Sequence, residues 1–190
     1  MDLKSFIPEE GFKRDITILF FSILPALIAV GIIYSLGPNV YLSVLAVFLN
    51  FYIVIGVGWI TSPIVGLSTG LQPFWLLFLL VFISTESSLI VSVNYDILEK
   101  IPYLGDIMKN IRERANKVIK KNKLAKNASY ITIFWLMFIP IYGTGPMVMT
   151  LVGRIISLEW WKVWFTITLS SITRYSIIII IVHYSIESFT

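Results

Sequence analysis

The stretch Phe138-Ile139-Pro140-Ile141-Tyr142-Gly143-Thr144-Gly145-Pro146 decides how this chain folds. It lies between two apolar arms, Ile131–Ile141 and Pro146–Ile156. At about 1.5 Å of rise per residue each arm reaches about 16 Å. A bilayer's hydrocarbon core is about 30 Å thick. Two half-length arms around a Pro/Gly-rich tip predict a re-entrant hairpin over 131–156. Such a hairpin turns near the midplane and leaves by the face it came from. Broken backbone at that depth is tolerated only under protein or beside a water-filled cavity, so the tip is the first candidate for function.

Upstream of the hairpin the chain turns hydrophilic. Between Glu99 and Lys126 stand nine Lys/Arg and three acids, against a net charge of +4 for the whole chain. A short loop this basic stays cytoplasmic. Ile101, Leu104, Ile107, Met108, Ile111, Ala115 and Val118 recur at three- and four-residue spacing. That spacing predicts a basic amphipathic helix over 99–126 lying on anionic lipid. Downstream, Ser157–Lys162 carries Trp160 and Trp161, with Trp164 just beyond, and tryptophans gather at the headgroup level. A span follows over 163–184.

Before the basic segment the apolar runs 16–36, 40–60 and 74–93 are each long enough to span. Pro25 kinks the first. The polar, mixed-charge Met1–Asp15 and the length of the first run argue for a retained helix rather than a cleaved signal. Asn50 is the strongly polar residue of the second run, and Gly56-x-Gly58 at its end lets another helix approach. Thr61–Pro73 (TSPIVGLSTGLQP) fits either a loop outside the membrane or a second re-entrant tip.

Composition agrees. Of 190 residues 57% are hydrophobic and 14% charged, and mean hydropathy is +0.84. That is too little charge to cover a water-facing surface. The expectation is an all-α polytopic membrane protein of the cell membrane. It has about four transmembrane helices, one or two re-entrant helical hairpins and a basic amphipathic cytoplasmic helix. The absence of cysteine removes disulfides and thiolate chemistry. No metal-ligand cluster, cofactor motif or Ser/His/Asp arrangement stands out, and Gly143-Thr144-Gly145 lacks the lysine of a phosphate-binding loop. An enzyme is not expected, nor is nucleic-acid binding. Membrane lipids, a small-molecule or lipid substrate and a second copy of the chain are the expected partners, with Gly56 and Gly58 as a dimer face.

Ile101-Pro-Tyr-Leu-Gly105, the basic helix after it, and Phe138-Ile-Pro-Ile-Tyr-Gly-Thr-Gly145 together resemble the small multidrug export family, within the DedA (VTT-domain) superfamily. Ser62–Gly70 resembles that family's first conserved hairpin. Tyr142 stands where the family has a second proline. The resemblance implies paired re-entrant hairpins meeting at mid-membrane and a part in lipid-carrier translocation or scrambling, ion-coupled in some members.

Ionisable residues inside a membrane are costly and mark function. Glu86 lies roughly 18 Å into its span and Arg174 roughly 16 Å into the last, both level with Gly143–Gly145. Arg174 would hold an anion through its planar fork of donors. The helix starting at Pro146 would add backbone N–H groups, and Glu86 would accept a proton or cation. The competing reading is an ion pair that fixes helix packing. Pro140, Gly143, Thr144 and Gly145 form the tip. For Arg154, snorkelling to lipid phosphate is favoured over a gate. His183 reads as an interfacial histidine rather than a proton relay. The Ser84–Ser88 hydroxyls are expected to cap nearby carbonyls. The function read from this pattern is a transporter or lipid translocase for an anionic lipid or amphiphile. The alternatives are an ion-coupled exporter of small cationic compounds and a non-transporting membrane organiser.

Overall fold

The computed structural model describes residues 9–35, 37–54, 57–100, 105, 106, 108, 109, 113, 123–139 and 145–188. Among these all regular structure is helical: α1 (Glu9–Ser35), α2 (Pro38–Ile53), α3 (Gly58–Ser68), α4 (Pro73–Val93), α5 (Tyr95–Glu99), α6 (Lys123–Leu136), α7 (Pro146–Ile155) and α8 (Trp160–Glu187). Pro38, Pro73 and Pro146 each open a helix, where the missing N–H costs nothing and φ is already helical.

Among the described residues three helices are long and apolar enough to cross a membrane: Thr17–Ser35 of α1, Pro73–Val93 and Trp160–Ser185 of α8. They expose large apolar side chains such as Phe20, Phe21, Phe78, Ile180 and Ile181. This is the surface of an α-helical membrane protein, in which lipid rather than water meets the apolar face.

The run 40–60 is not one helix. α2 stops at Ile53 after 16 residues, about 24 Å, and the chain restarts as α3 at Gly58. Nor is 61–73 a loop or a tip, since residues 61–68 belong to α3. The two helices fold back on each other. Ser43 Oγ donates to the Thr69 carbonyl, Ser62 Oγ approaches the Val47 carbonyl, and Thr61 Oγ1 donates to Asn50 Oδ1. These cross-links are antiparallel, so α2 and α3 are the arms of a hairpin that reverses between Ile53 and Gly58. Gly58 is the hinge of that closeness. A Cβ there would lie 2.3 Å from the Asn50 carbonyl oxygen and 2.7 Å from that of Phe51. Gly58 is therefore used inside the hairpin and is not a face for a second copy.

The second hairpin is α6 and α7. Its first arm begins at Lys123 and ends at Leu136, earlier at both ends than the expected 131–141. A residue before proline is driven out of the helical region, so the approach to Pro140 ends the arm. Gly153 of α7 packs on Ile133 of α6 and Val163 of α8, with no room for a Cβ. The tip residues Pro140, Gly143 and Thr144, most of the segment 99–126, and Gly56 lie outside the described residues.

Both second arms end alike. In α3, the Leu71 N–H bonds the Gly66 carbonyl and the Gly70 N–H that of Leu67, with Gly70 at φ 84. In α7, the Leu158 N–H bonds Gly153 and the Ser157 N–H bonds Arg154, with Ser157 at φ 60. These are Schellman closures, which satisfy the orphan carbonyls of a helix end. A long helix follows each, so the order first arm, tip, second arm, turn, long helix occurs twice.

α4 and α8 share the most extensive interface and form the centre. Val47, Leu76, Leu80, Tyr175 and Ile179 pack at one level, and Ile133, Met137, Met149, Leu158, Val163 and Ile167 at the other. α1 packs on α4 and α2 but leaves most of its surface bare.

Candidate functional site

The site grows from Arg174, the fifteenth of the 28 residues of α8. Its side chain is fully buried at 1% exposure. Nη1 donates to the Met137 carbonyl at 2.8 Å and Nη2 to the Tyr175 hydroxyl at 2.8 Å. Met137 is the first residue beyond α6, where the carbonyls of the last turn have no helical partner. Arg174 thus caps the first arm of the second hairpin.

Its guanidinium carbon also lies 4.1 Å from the centre of the Trp59 ring and 4.6 Å from that of Tyr175. Trp59 is the second residue of α3, just past the first hairpin's turn. One arginine therefore touches the inner end of each hairpin. It sits between two aromatic rings, an arrangement that suits a weakly hydrated planar cation.

Two donors at this point have no acceptor. Arg174 Nε and Trp59 Nε1 are both buried and unpartnered among the described residues. Among the described residues no carboxylate pairs with the guanidinium, and Glu86 in particular does not. A buried charge without a counter-ion is expensive, and buried polar groups are nearly always satisfied. Among the described residues, the surroundings of Arg174 are short of negative charge and of acceptors.

Glu86, the fourteenth of 21 residues in α4, faces another way. It is buried at 8% exposure, Oε1 has no partner, and the carboxyl group interacts with the backbone of Ala26. Ala26 follows Pro25, where α1 lacks one N–H and its ladder is loosened. The ion pair between Glu86 and Arg174, on which the competing packing reading rests, is not formed.

Two tyrosines bond the serines that flank Glu86 on α4. The Tyr52 hydroxyl bonds Ser87 Oγ, which itself donates to the Ile83 carbonyl. The Tyr175 hydroxyl accepts from Arg174 and shares a 3.2 Å bond with Ser84 Oγ. Ser88 shares a 2.7 Å bond with Thr150 of α7, and the Thr85 carbonyl accepts from Trp164 Nε1. The Ser84–Ser88 stretch is therefore the polar junction of the fold, reaching α1, α2, α7 and α8. The expected capping of nearby carbonyls describes Ser87 alone among the bonds just named.

The other candidates fall outside this group. Gly145 caps the N-terminus of α7 without a side-chain bond. Arg154 does not snorkel. Its Nη1 donates to the Leu158 carbonyl at 3.3 Å, Nη2 lies 3.9 Å from Asp96, and the guanidinium carbon sits 4.9 Å from the Tyr95 ring. It fastens the end of α7 to α5. His183 is half-buried nine residues beyond Arg174 on α8, about 14 Å along the axis.

Sequence reasoning missed Tyr52, Trp59, Met137 and Tyr175. Tyr175 adjoins Arg174 and was within view; the other three are apolar or aromatic residues in apolar runs and carry no signal of their own.

No family model, no curated protein and no solved structure matches this chain. The comparisons therefore add no support to the resemblance to the DedA superfamily, and function is argued from the site.

Proposed function

We propose that this protein is a membrane transporter or lipid translocase that carries an anionic lipid or amphiphile past Arg174. The observation behind this reading is the pair of buried donors, Arg174 Nε and Trp59 Nε1, unpartnered among the described residues, beside a guanidinium with no counter-ion among them. A phosphate or carboxylate group supplies both the acceptors and the charge this pocket lacks, and an arginine fork matches it in shape. In this reading the two hairpins are re-entrant. The inner ends of α3 and α6 meet at Arg174 deep in the bilayer, each helix too short to cross alone. The excess of Lys and Arg between Glu99 and Lys126 supports a cytoplasmic side for that loop. The resemblance to the DedA superfamily points to the same class.

Glu86 favours a second element, a proton or cation acceptor that couples transport to an ion gradient. Its burial and its Oε1, which has no partner among the described residues, support that role. Taken alone, the same carboxylate would serve an exporter of small cationic compounds.

Flipping of a fluorescent phosphorylated lipid in proteoliposomes tests the reading. Protein-dependent flipping is expected in the wild type and is lost in Arg174→Ala. Glu86→Gln retains flipping without a gradient and loses its response to one. A folded wild type that flips no anionic lipid overturns the translocase; cation efflux dependent on Glu86 would then identify the exporter.

A further inference from the structure

The turn of the first hairpin gathers oxygen atoms faster than hydrogens. Thr61 Oγ1 lies 2.6 Å from Asn50 Oδ1, 3.3 Å from the Gly58 carbonyl oxygen and 3.4 Å from that of Val57. Ser62 Oγ lies 2.7 Å from the same Gly58 oxygen, 3.2 Å from Asn50 Oδ1 and 3.3 Å from the Val47 carbonyl oxygen. Each hydroxyl owns one hydrogen. At most two of these six contacts are hydrogen bonds at any instant. The two shortest, Thr61 Oγ1 to Asn50 Oδ1 and Ser62 Oγ to the Gly58 oxygen, take both hydrogens, and the other four hold oxygens 3.2–3.4 Å apart with no hydrogen between them.

Four of the oxygens close a ring. Asn50 Oδ1, Thr61 Oγ1, the Gly58 carbonyl and Ser62 Oγ follow one another with sides of 2.6, 3.3, 2.7 and 3.2 Å. Hydroxyl, amide and carbonyl oxygens are hard ligands, suited to cations that prefer oxygen. None of the four carries formal charge, so a divalent ion would remain uncompensated in apolar surroundings. A single positive charge fits. Carbonyls at an interrupted helix are a recurring way of holding sodium in membrane proteins.

We propose that Asn50, Gly58, Thr61 and Ser62 form a site for one small alkali cation, sodium, at the turn of the first hairpin. None of the ligands is Asp, Glu, His or Cys, so inspection for metal-ligand clusters passes over it. The site adjoins the anion pocket in sequence and in space: Trp59 follows Gly58 directly and places its ring on Arg174. Filling the ring would stiffen the turn that holds Trp59 there. The contrary account is a rotated Asn50 amide whose Nδ2 donates to both hydroxyls, a closed network with no place for an ion.

The unfolding midpoint of the purified full-length chain in detergent separates the two. It is followed in NaCl, KCl and choline chloride at equal ionic strength, with no lipid substrate present. A sodium site gives a saturable rise with NaCl, smaller with KCl and absent with choline chloride, because a ligand that binds only the folded state stabilises it. Thr61→Val keeps the volume, removes one ligand and abolishes the rise. Asn50→Asp adds a charged ligand and lowers the half-saturating sodium concentration by on the order of tenfold, since ligand charge tunes cation affinity. Equal midpoints in the three salts for folded wild type overturn the proposal, as does a sodium rise that survives in Thr61→Val. Because binding is read without transport, a failure of lipid flipping leaves this result standing, and the reverse also holds.

Discussion

Arg174 donates to the Met137 carbonyl at 2.8 Å, so the charge at the centre of α8 closes the open end of α6. On its other side the Trp59 ring lies 4.1 Å from the guanidinium carbon. The inner ends of both hairpins are thereby tied to one side chain. Any movement that separates them must break that bond or move the ring. Arg174 is accordingly both a strut of the resting fold and the candidate anion contact, and its substitutions must be chosen to tell these roles apart.

Trp59→Phe does so from the aromatic side. Phenylalanine keeps a ring over the guanidinium but has no N–H. Stability should change little, by about 1 kcal/mol or less. Affinity for a phosphorylated amphiphile should fall about 10-fold or more, because hydrogen bonds to charged groups contribute about 1.5–3 kcal/mol. Titration of a short-chain phosphorylated lipid by calorimetry checks both the affinity and the folded fraction.

Gly58→Ala probes the first hairpin. The added methyl meets two backbone carbonyl oxygens of α2, 2.3 and 2.7 Å from the Cβ position, and backbone cannot turn aside as a flexible side chain can. A destabilisation of about 1–3 kcal/mol is expected, seen as a lower thermal midpoint. An unchanged midpoint would mean that α2 and α3 do not close as described.

Ser157→Gly should act in the opposite direction. Ser157 holds φ 60 in the closure of α7, a position that favours glycine and that Gly70 occupies in the equivalent closure of α3. Relief of that strain should raise stability by about 0.5–1 kcal/mol. Denaturation of the purified variant in mixed detergent measures it. A loss of stability would show that the Ser157 side chain has a packing role.

The parts of this arrangement legible in the sequence are those that break a pattern. Glu86 and Arg174 interrupt apolar runs, and the Pro/Gly tip interrupts two short arms, so each was visible. The break between α2 and α3 was not. Ile53-Val54-Ile55-Gly56-Val57-Gly58 is apolar throughout, and a hydropathy pattern reads on across it to Ile60. What ends α2 is the tight return of α3 onto it, secured by Thr61 and Ser62 against Asn50, and such pairing between residues eleven or twelve apart leaves no periodic trace. The Glu86–Arg174 pair was expected from depth alone. Depth carries no azimuth: the two residues share a level but look toward different neighbours, and helix rotation is decided by packing at positions such as Leu80 and Tyr175. Tyr52 and Trp59 were invisible for the same reason, since an aromatic side chain in an apolar run is ordinarily met by lipid.

Arg174→Met tests the central claim most directly. Methionine fills much of the arginine's volume beside Trp59 and Tyr175 but leaves the Met137 carbonyl without its donor. The variant should fold with a lowered thermal midpoint, by about 1–3 kcal/mol of stability. Measured at equal amounts of folded protein, flipping of a fluorescent phosphorylated lipid should fall to the level of protein-free vesicles in Arg174→Met. Flipping by Arg174→Met at the wild-type rate would contradict the account, and would leave Arg174 as a strut between two hairpins with no part in carrying an anion.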